Sequence, residues 1–256
     1  MRNAIRRAAL AALFVVLPGL AAAEPRIAII IDDLGYGLEA GQRALALPGP
    51  VAFGILPSTP HGRALAELAH ESGKAALLHL PLQSMEGQET DEPGGIRLDM
   101  SRAELAAAFA AGLESVPYAI GVNSHRGSLL TRHPGHMAWL MAEIGKHDEL
   151  FFVDSYTTHH SIALSLAGEA GIPAVRRDVF LDPDRESTTV EREFARLKSV
   201  ATRNGYALGI GHPYPATMAL LERELPRLAD EGFELVGIVR YLADRAPDDL
   251  PLGSGE

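Results

Sequence analysis

The chain has 256 residues, 47% of them hydrophobic, which is enough apolar surface for one large domain or two small ones. It contains no cysteine, so disulfides, thiolate zinc sites, a cysteine nucleophile and a lipoprotein anchor are excluded, and any metal must be held by histidine, carboxylate and water. A formal charge of −10 gives it no electrostatic reason to bind nucleic acid or an anionic membrane surface.

Residues 1–23 read as a secretory signal peptide. Arg2, Arg6 and Arg7 form a basic start, Ala8 to Leu20 an apolar run, and Ala21-Ala22-Ala23 a small-residue cleavage site. The run falls short of the ~20 residues a bilayer span needs, so cleavage is favoured over an anchor. The reading implies export to the periplasm, with no stable membrane insertion afterwards. The domain is expected over residues 24–245, followed by a disordered tail at 246–256, rich in Pro, Asp and Gly.

The first strand is Ile27-Ala28-Ile29-Ile30-Ile31. It is short, β-branched and without polar alternation, as in a parallel sheet buried on both faces. It ends in Asp32-Asp33 and then Gly35, at the edge where α/β folds place their ligands. A helix follows near Leu38 to Leu47, then a second strand over Val51 to Ile55. Thr59 and Pro60 read as cap and first position of a helix running to Glu71. The third strand, Ala75 to Leu78, ends in His79, and Gln83 to Asp99 form a long polar loop of the functional kind. Ser101 and Glu104 make a capping box. Tyr118 to Val122 is the fourth strand, ending in the polar cluster Asn123 to Ser128 around His125.

A helix over Met137 to Ile144 leads to strand Leu150 to Val153 and Asp154. Another helix closes at Gly171, and Ala174 to Leu181 contains a strand with Arg177, Asp178 and Asp182. Val190 to Asn204 is an amphipathic helix stopped by Gly205. Ala207 to Ile210 is a strand ending in Gly211-His212, Ala216 to Asp230 a helix kinked at Pro226, and Glu234 to Val239 a last strand. Strand and helix alternate about eight times, which predicts a parallel sheet and, at this length, a closed or nearly closed α/β barrel; an open doubly wound sheet is the alternative.

Asp32, Asp33, His79, His125, Asp154 and His212 each follow an apolar run of strand type, and a barrel gathers such ends on one face. Two histidines and a carboxylate with open positions are a common way to hold zinc or another divalent metal for hydrolysis. A second carboxylate can take a proton from water, and a further histidine can protonate the leaving group. Chemistry alone leaves the bond open among ester, amide and phosphoester. No Gly-x-Ser-x-Gly follows a strand, which counts against a serine hydrolase. No clear phosphate cradle is present, which counts against a phosphoesterase.

Ile-Asp-Asp-Leu-Gly at 31–35, His-Leu-Pro-Leu at 79–82, the run from Val116 to Ser128, Phe-Val-Asp-Ser at 152–155, Val-Phe-Leu-Asp at 179–182 and Ile-Gly-His-Pro at 210–213 resemble the divergent polysaccharide deacetylase family. The resemblance spans Arg26 to Leu242. It implies a distorted (β/α) barrel of NodB-like deacetylase type with 7–8 strands, and a metal-dependent enzyme removing N-acetyl or O-acetyl groups from a peptidoglycan-like or chitin-like glycan, which the signal peptide would send out of the cytoplasm. It also implies roles: Asp32 as general base; Asp33, His79 and His125 as ligands of a divalent metal, zinc by expectation; His212 as general acid oriented by Asp154. Asn123, Arg126, Ser128 and Asp178 complete the set as substrate-binding candidates. Typical deacetylases carry both metal histidines in one His-x-x-x-His-Pro motif. That motif is missing here, so the ligands must be assembled differently. The competing reading is a non-catalytic periplasmic protein that uses the same barrel for glycan binding or envelope regulation.

Overall fold

The computed structural model describes residues 24–85 and 92–245. The predicted signal peptide and tail, and the middle of the long loop, lie outside these residues. Among the described residues no helix is long and apolar enough to cross a membrane.

The elements run β1 (Arg26–Leu34), α1 (Leu38–Leu45), β2 (Ala52–Ile55), α2 (Gly62–Glu71), β3 (Ala75–Leu82), α3 (Arg102–Ser115), β4 (Ala119–Arg126), α4 (Pro134–Ile144), β5 (Phe151–Asp154), α5 (Ala163–Glu169), β6 (Ala174–Arg176), β7 (Val179–Phe180), α6 (Ser187–Asn204), β8 (Tyr206–Gly211), α7 (Pro215–Glu224), β9 (Glu234–Leu235) and α8 (Ile238–Arg245). The strands pair in the order β6-β5-β4-β3-β2-β1-β8-β7, all parallel, with β9 added beside β1. This is the expected distorted barrel. Only Arg177 and Asp178 separate β6 from β7, yet β6 pairs with β5 and β7 with β8 at the opposite edge of the sheet. The sheet therefore curls almost into a ring, and the chain steps across its seam at Arg177-Asp178.

The two faces of β1 explain its unbroken isoleucine run. Ile27, Ile29 and Ile31 point outward and join the large core beneath helices α1 to α7, with Leu65, Phe109 and Leu140. Ala28 and Ile30 point inward to a smaller core with Leu77, Val153, Leu208 and Ile210, closed by Tyr241 and Leu242. The inner core is capped by α8, whose first two residues fall in the strand expected to run to Val239. That strand is only Glu234–Leu235, and the amphipathic pattern from Ile238 to Arg245 forms a helix instead.

Local signals account for most boundaries. Ser101 and Glu104 form the reciprocal capping box of α3. Gly205, at φ 84°, stops α6 with the left-handed turn that glycine adopts without strain. Pro226 ends α7 in a short 3₁₀ turn rather than kinking it. Thr59 does not cap α2; its hydroxyl donates to the Leu56 carbonyl (2.8 Å), and the helix starts later, at Gly62.

Asp178 is placed by this architecture at the seam rather than at a substrate. Its Oδ2 accepts from the Leu208 N–H (2.7 Å) and the Tyr241 hydroxyl (2.8 Å), with Arg245 3.6 Å away. It ties α8 to the sheet. Tyr241→Phe removes the bond to Asp178 and the one its oxygen accepts from Arg245 Nη1 (2.8 Å), and is therefore expected to cost about 1–3 kcal/mol without altering any activity of the cleft. Urea unfolding measures the first part; an unchanged midpoint would remove the structural role given to Asp178.

Candidate active site

Asp32 and Asp33 are adjacent on β1, so a regular strand would send them to opposite faces. The register between β1 and β2 slips here: Ile31 faces Phe53 but Leu34 faces Ile55, which leaves an extra residue on β1. Asp33 takes φ 61° within this bulge, a left-handed conformation that aspartate tolerates. Asp32 keeps the inward direction of Ile30, and the bulge re-aims Asp33 so that both carboxylates serve one site.

Asp33 meets two histidines from β3 and β4. Its Oδ1 lies 3.1 Å from His79 Nε2 and 2.9 Å from His125 Nδ1, and the two nitrogens lie 3.0 Å apart. Donor atoms bound to one divalent ion at ~2.0–2.2 Å sit about 3 Å from each other, so the spacing fits a shared metal. The neighbouring groups fit as well. His79 Nδ1–H donates to Asn123 Oδ1 (2.9 Å), so that Nε2 faces the cluster and, once its proton is displaced by a metal, offers its lone pair there. Asn123 Nδ2–H in turn donates to Asp32 Oδ1 (2.7 Å). On the other histidine, His125 Nε2 faces Glu92 Oε2 at 2.9 Å, which directs Nδ1 to Asp33. The donor set attracts positive charge. Burial opposes ionisation of both partners, yet hydrogen bonds from His125 and His79 hold Asp33 well below the usual carboxylate range. The same contacts with Asp33 and Glu92, against burial, push His125 up to about 9. A metal bound here would take the place of that proton.

Asp32 stands beside the cluster, almost fully buried, 3.7 Å from His79 Nδ1. Burial raises its pKa, partly offset by His79 and His212. His212, just after β8, also approaches the cluster, with Nε2 3.6 Å from Asp33 Oδ2. Its Nδ1–H donates to Asp182 Oδ1 (2.8 Å), so Nε2 is the atom offered to the cleft. Asp182 Oδ2 accepts from the His212 backbone N–H and from Thr217 Oγ1, both at 2.7 Å. Burial lowers the His212 pKa, but Asp182 and Asp33 outweigh it and the net direction is up. Asp32, His79, His125 and His212 line one cleft of about 240 Å³ with Arg126, Tyr156, Arg177 and Phe180.

Several expected site residues stand elsewhere. The carboxylate on His212 is Asp182, not Asp154. Asp154 shares the outward direction of Phe152 and is consumed by the Tyr156 N–H (2.8 Å) and Ser161 Oγ (2.6 Å). Asn123 is fully buried between Asp32 and His79, so it positions both of them rather than meeting substrate. Ser128 accepts from the Met85 N–H (3.0 Å) and pins the long loop. Arg126 does line the cleft, beside Glu92 at 3.2 Å. Asp182 had a legible signal, an apolar Val179-Phe180-Leu181 run before it; Glu92 had none.

A model of divergent polysaccharide deacetylases matches residues 29–242. The chain belongs to that family. The uncharacterized protein YibQ of Escherichia coli (strain K12) is 36% identical over 223 residues, covering 87% of this chain and 67% of that protein. Among solved structures, uncharacterized protein ATU2773 from Agrobacterium tumefaciens C58 superposes with a TM-score of 0.81 at 23% identity, over 88% of this chain and 92% of that one. A mutant of BA3943 from Bacillus anthracis, described as a CE4 family pseudoenzyme with restored enzymatic activity, gives 0.54 at 14% identity, over 86% and 68%. At these identities the structural likenesses establish the fold of this family member and leave its chemistry to its own residues.

Proposed function

We propose that this chain is a metal-dependent carbohydrate deacetylase, exported through its N-terminal segment, that removes acetyl groups from a cell-envelope glycan or its fragments. The observation that carries the reading is the convergence of Asp33, His79 and His125 within hydrogen-bond distance of one another, flanked by Asp32 and His212. The nitrogen-and-oxygen donor set suits zinc. A bound divalent ion would polarise the acetyl carbonyl and lower the pKa of a water.

The other parts of the reaction fall to the chain. Asp32 is the general base: it lines the cleft while Asn123 holds its Oδ1. His212 is the general acid, presenting Nε2–H to the departing amine nitrogen. Its raised pKa favours the protonated form such a donor needs. Asp32 adjoins the donor cluster at His79 and His212 adjoins it at Asp33, so one can take a proton while the other supplies one.

Metal content of the purified chain decides the matter first. One equivalent of zinc is expected after reconstitution, with acetate released from N-acetylated oligosaccharides and lost on chelation. His125→Ala should bring the metal well below one equivalent. A chain that takes up no divalent ion even at saturating zinc would sink the hydrolase reading. Metal uptake without acetate release from any acetylated glycan would favour the binding-protein reading.

A further inference from the structure

One wall of the cleft is unused by the donor cluster, the base and the acid. Arg177, at the seam between β6 and β7, lies there. Its Nε–H donates to the Ser155 carbonyl (2.7 Å), an Nη2–H donates to the Tyr156 carbonyl (3.1 Å), and its guanidinium sits 4.7 Å from the centre of the Phe180 ring. These contacts fix the group without neutralising it. Among the described residues no carboxylate forms an ion pair with it; Asp32, Asp154 and Asp178 act on it only at longer range. Beside it, Ser155 is 7% exposed, and its Oγ is buried with no hydrogen-bond partner among the described residues. Both side chains line the cleft, as does Arg126.

A buried donor without an acceptor, and a largely buried cation with no carboxylate in direct contact, are costly and seldom kept without a use. Here the two lie together, in the cleft of a chain whose formal charge is −10. The acidic remainder of the protein gives an anion little reason to settle elsewhere. A rigid guanidinium fork with a hydroxyl next to it matches a carboxylate, which offers two oxygens in one plane.

We propose that Arg177 and Ser155 form an anion subsite, and that the glycan this cleft takes is an N-acylated amino sugar bearing a carboxylate rather than a neutral chitin-like chain. The sugar part rests on the deacetylase reading above; the anion subsite does not. If Arg177 instead served only to support Asp32 or the reacting carbonyl, its loss would affect acidic and neutral sugars alike.

The test is calorimetric binding of N-acetylmuramic acid and of its methyl ester to the full chain, since the ester removes the charge and little else. The acid is expected to bind about tenfold or more tighter than the ester. Arg177→Met should abolish that preference and leave the ester's affinity within about twofold, Arg177→Lys should restore part of it, and Ser155→Ala should reduce it severalfold. Ser155→Ala carries the test if the arginine variant does not fold. Equal affinity for acid and ester, no binding of either, or variants that weaken both sugars equally would overturn the subsite. Binding needs no turnover. A chain that prefers the acid yet never releases acetate would overturn the deacetylase reading and spare the subsite. Acetate release with no preference for the acid would do the reverse.

Discussion

Asp182→Asn is expected to lower the rate of acetate release by about 10³-fold or more while leaving metal content unchanged. Asp182 is 3% exposed and accepts three hydrogen bonds, from His212 Nδ1, the His212 N–H and Thr217 Oγ1. An asparagine has one accepting oxygen. If that oxygen stays with the backbone N–H and the threonine, the amide NH₂ faces Nδ1 and His212 must turn its lone pair inward. Nε2 then still carries a proton, but the charged imidazolium loses its counter-ion and falls below the pKa a general acid needs. If the amide flips, Nδ1 keeps its acceptor and the backbone N–H is left facing another donor. Either arrangement spoils the acid, and neither touches Asp33, His79 or His125. Asp154→Asn is the control. Asp154 is bonded to Tyr156 and Ser161 on the outer side of β5, so its loss should change the rate less than about threefold and show mainly in stability. Steady-state rates and metal content of the two variants, side by side, decide which carboxylate orients His212. Equal losses in both would remove Asp182 from the role.

The contrast between Asp154 and Asp182 shows what was legible in the sequence and what was not. A buried parallel strand announces itself by an apolar run, and the residue that ends the run is delivered to the site edge. That logic located Asp32, Asp33, His79, His125 and His212. It does not say which face a strand-end residue takes, because that depends on register and the apolar runs here lack alternation. Phe152 and Val153 look alike in sequence but belong to the outer and inner cores, so Asp154 could not be assigned a direction. The bulge at Asp33 reverses the problem: alternation would separate the two aspartates, and only the slipped pairing with β2 brings both to the cleft. The step from β6 to β7 was hidden because two short strands on opposite sheet edges read as one run from Ala174 to Leu181. Glu92 reaches His125 from a loop with no periodicity at all, where sequence offers nothing to count.

Gly54→Ala is the second large effect, and it acts on Asp32 without changing it. Gly54 lies on β2 with its missing side chain directed inward. A Cβ there would stand 2.0 Å from Asp32 Oδ1, 3.0 Å from its Cγ and 3.2 Å from Asn123 Oδ1. None of these groups has room to retreat. Asp32 and Asn123 are 1% and 0% exposed, and each is held by the other. The strand cannot shift either, because Phe53 pairs with Ile31 on one side and Ala76 on the other. The methyl group must therefore push the carboxylate aside. Overpacking of this kind costs about 1–3 kcal/mol, and displacement of the base should reduce acetate release by about 10²-fold or more. The strain would also pass through Asn123 to His79 Nδ1, so zinc affinity is expected to fall with the rate. A double-mutant cycle with Asp32→Ala isolates the contact, because an alanine at 32 leaves space for the new methyl group. Gly54→Ala should then cost little in the Asp32→Ala background, giving a coupling of about 1 kcal/mol or more in urea unfolding. Additive costs would mean that the two positions do not share this space, and that the glycine is needed for some reason other than the carboxylate lying against it.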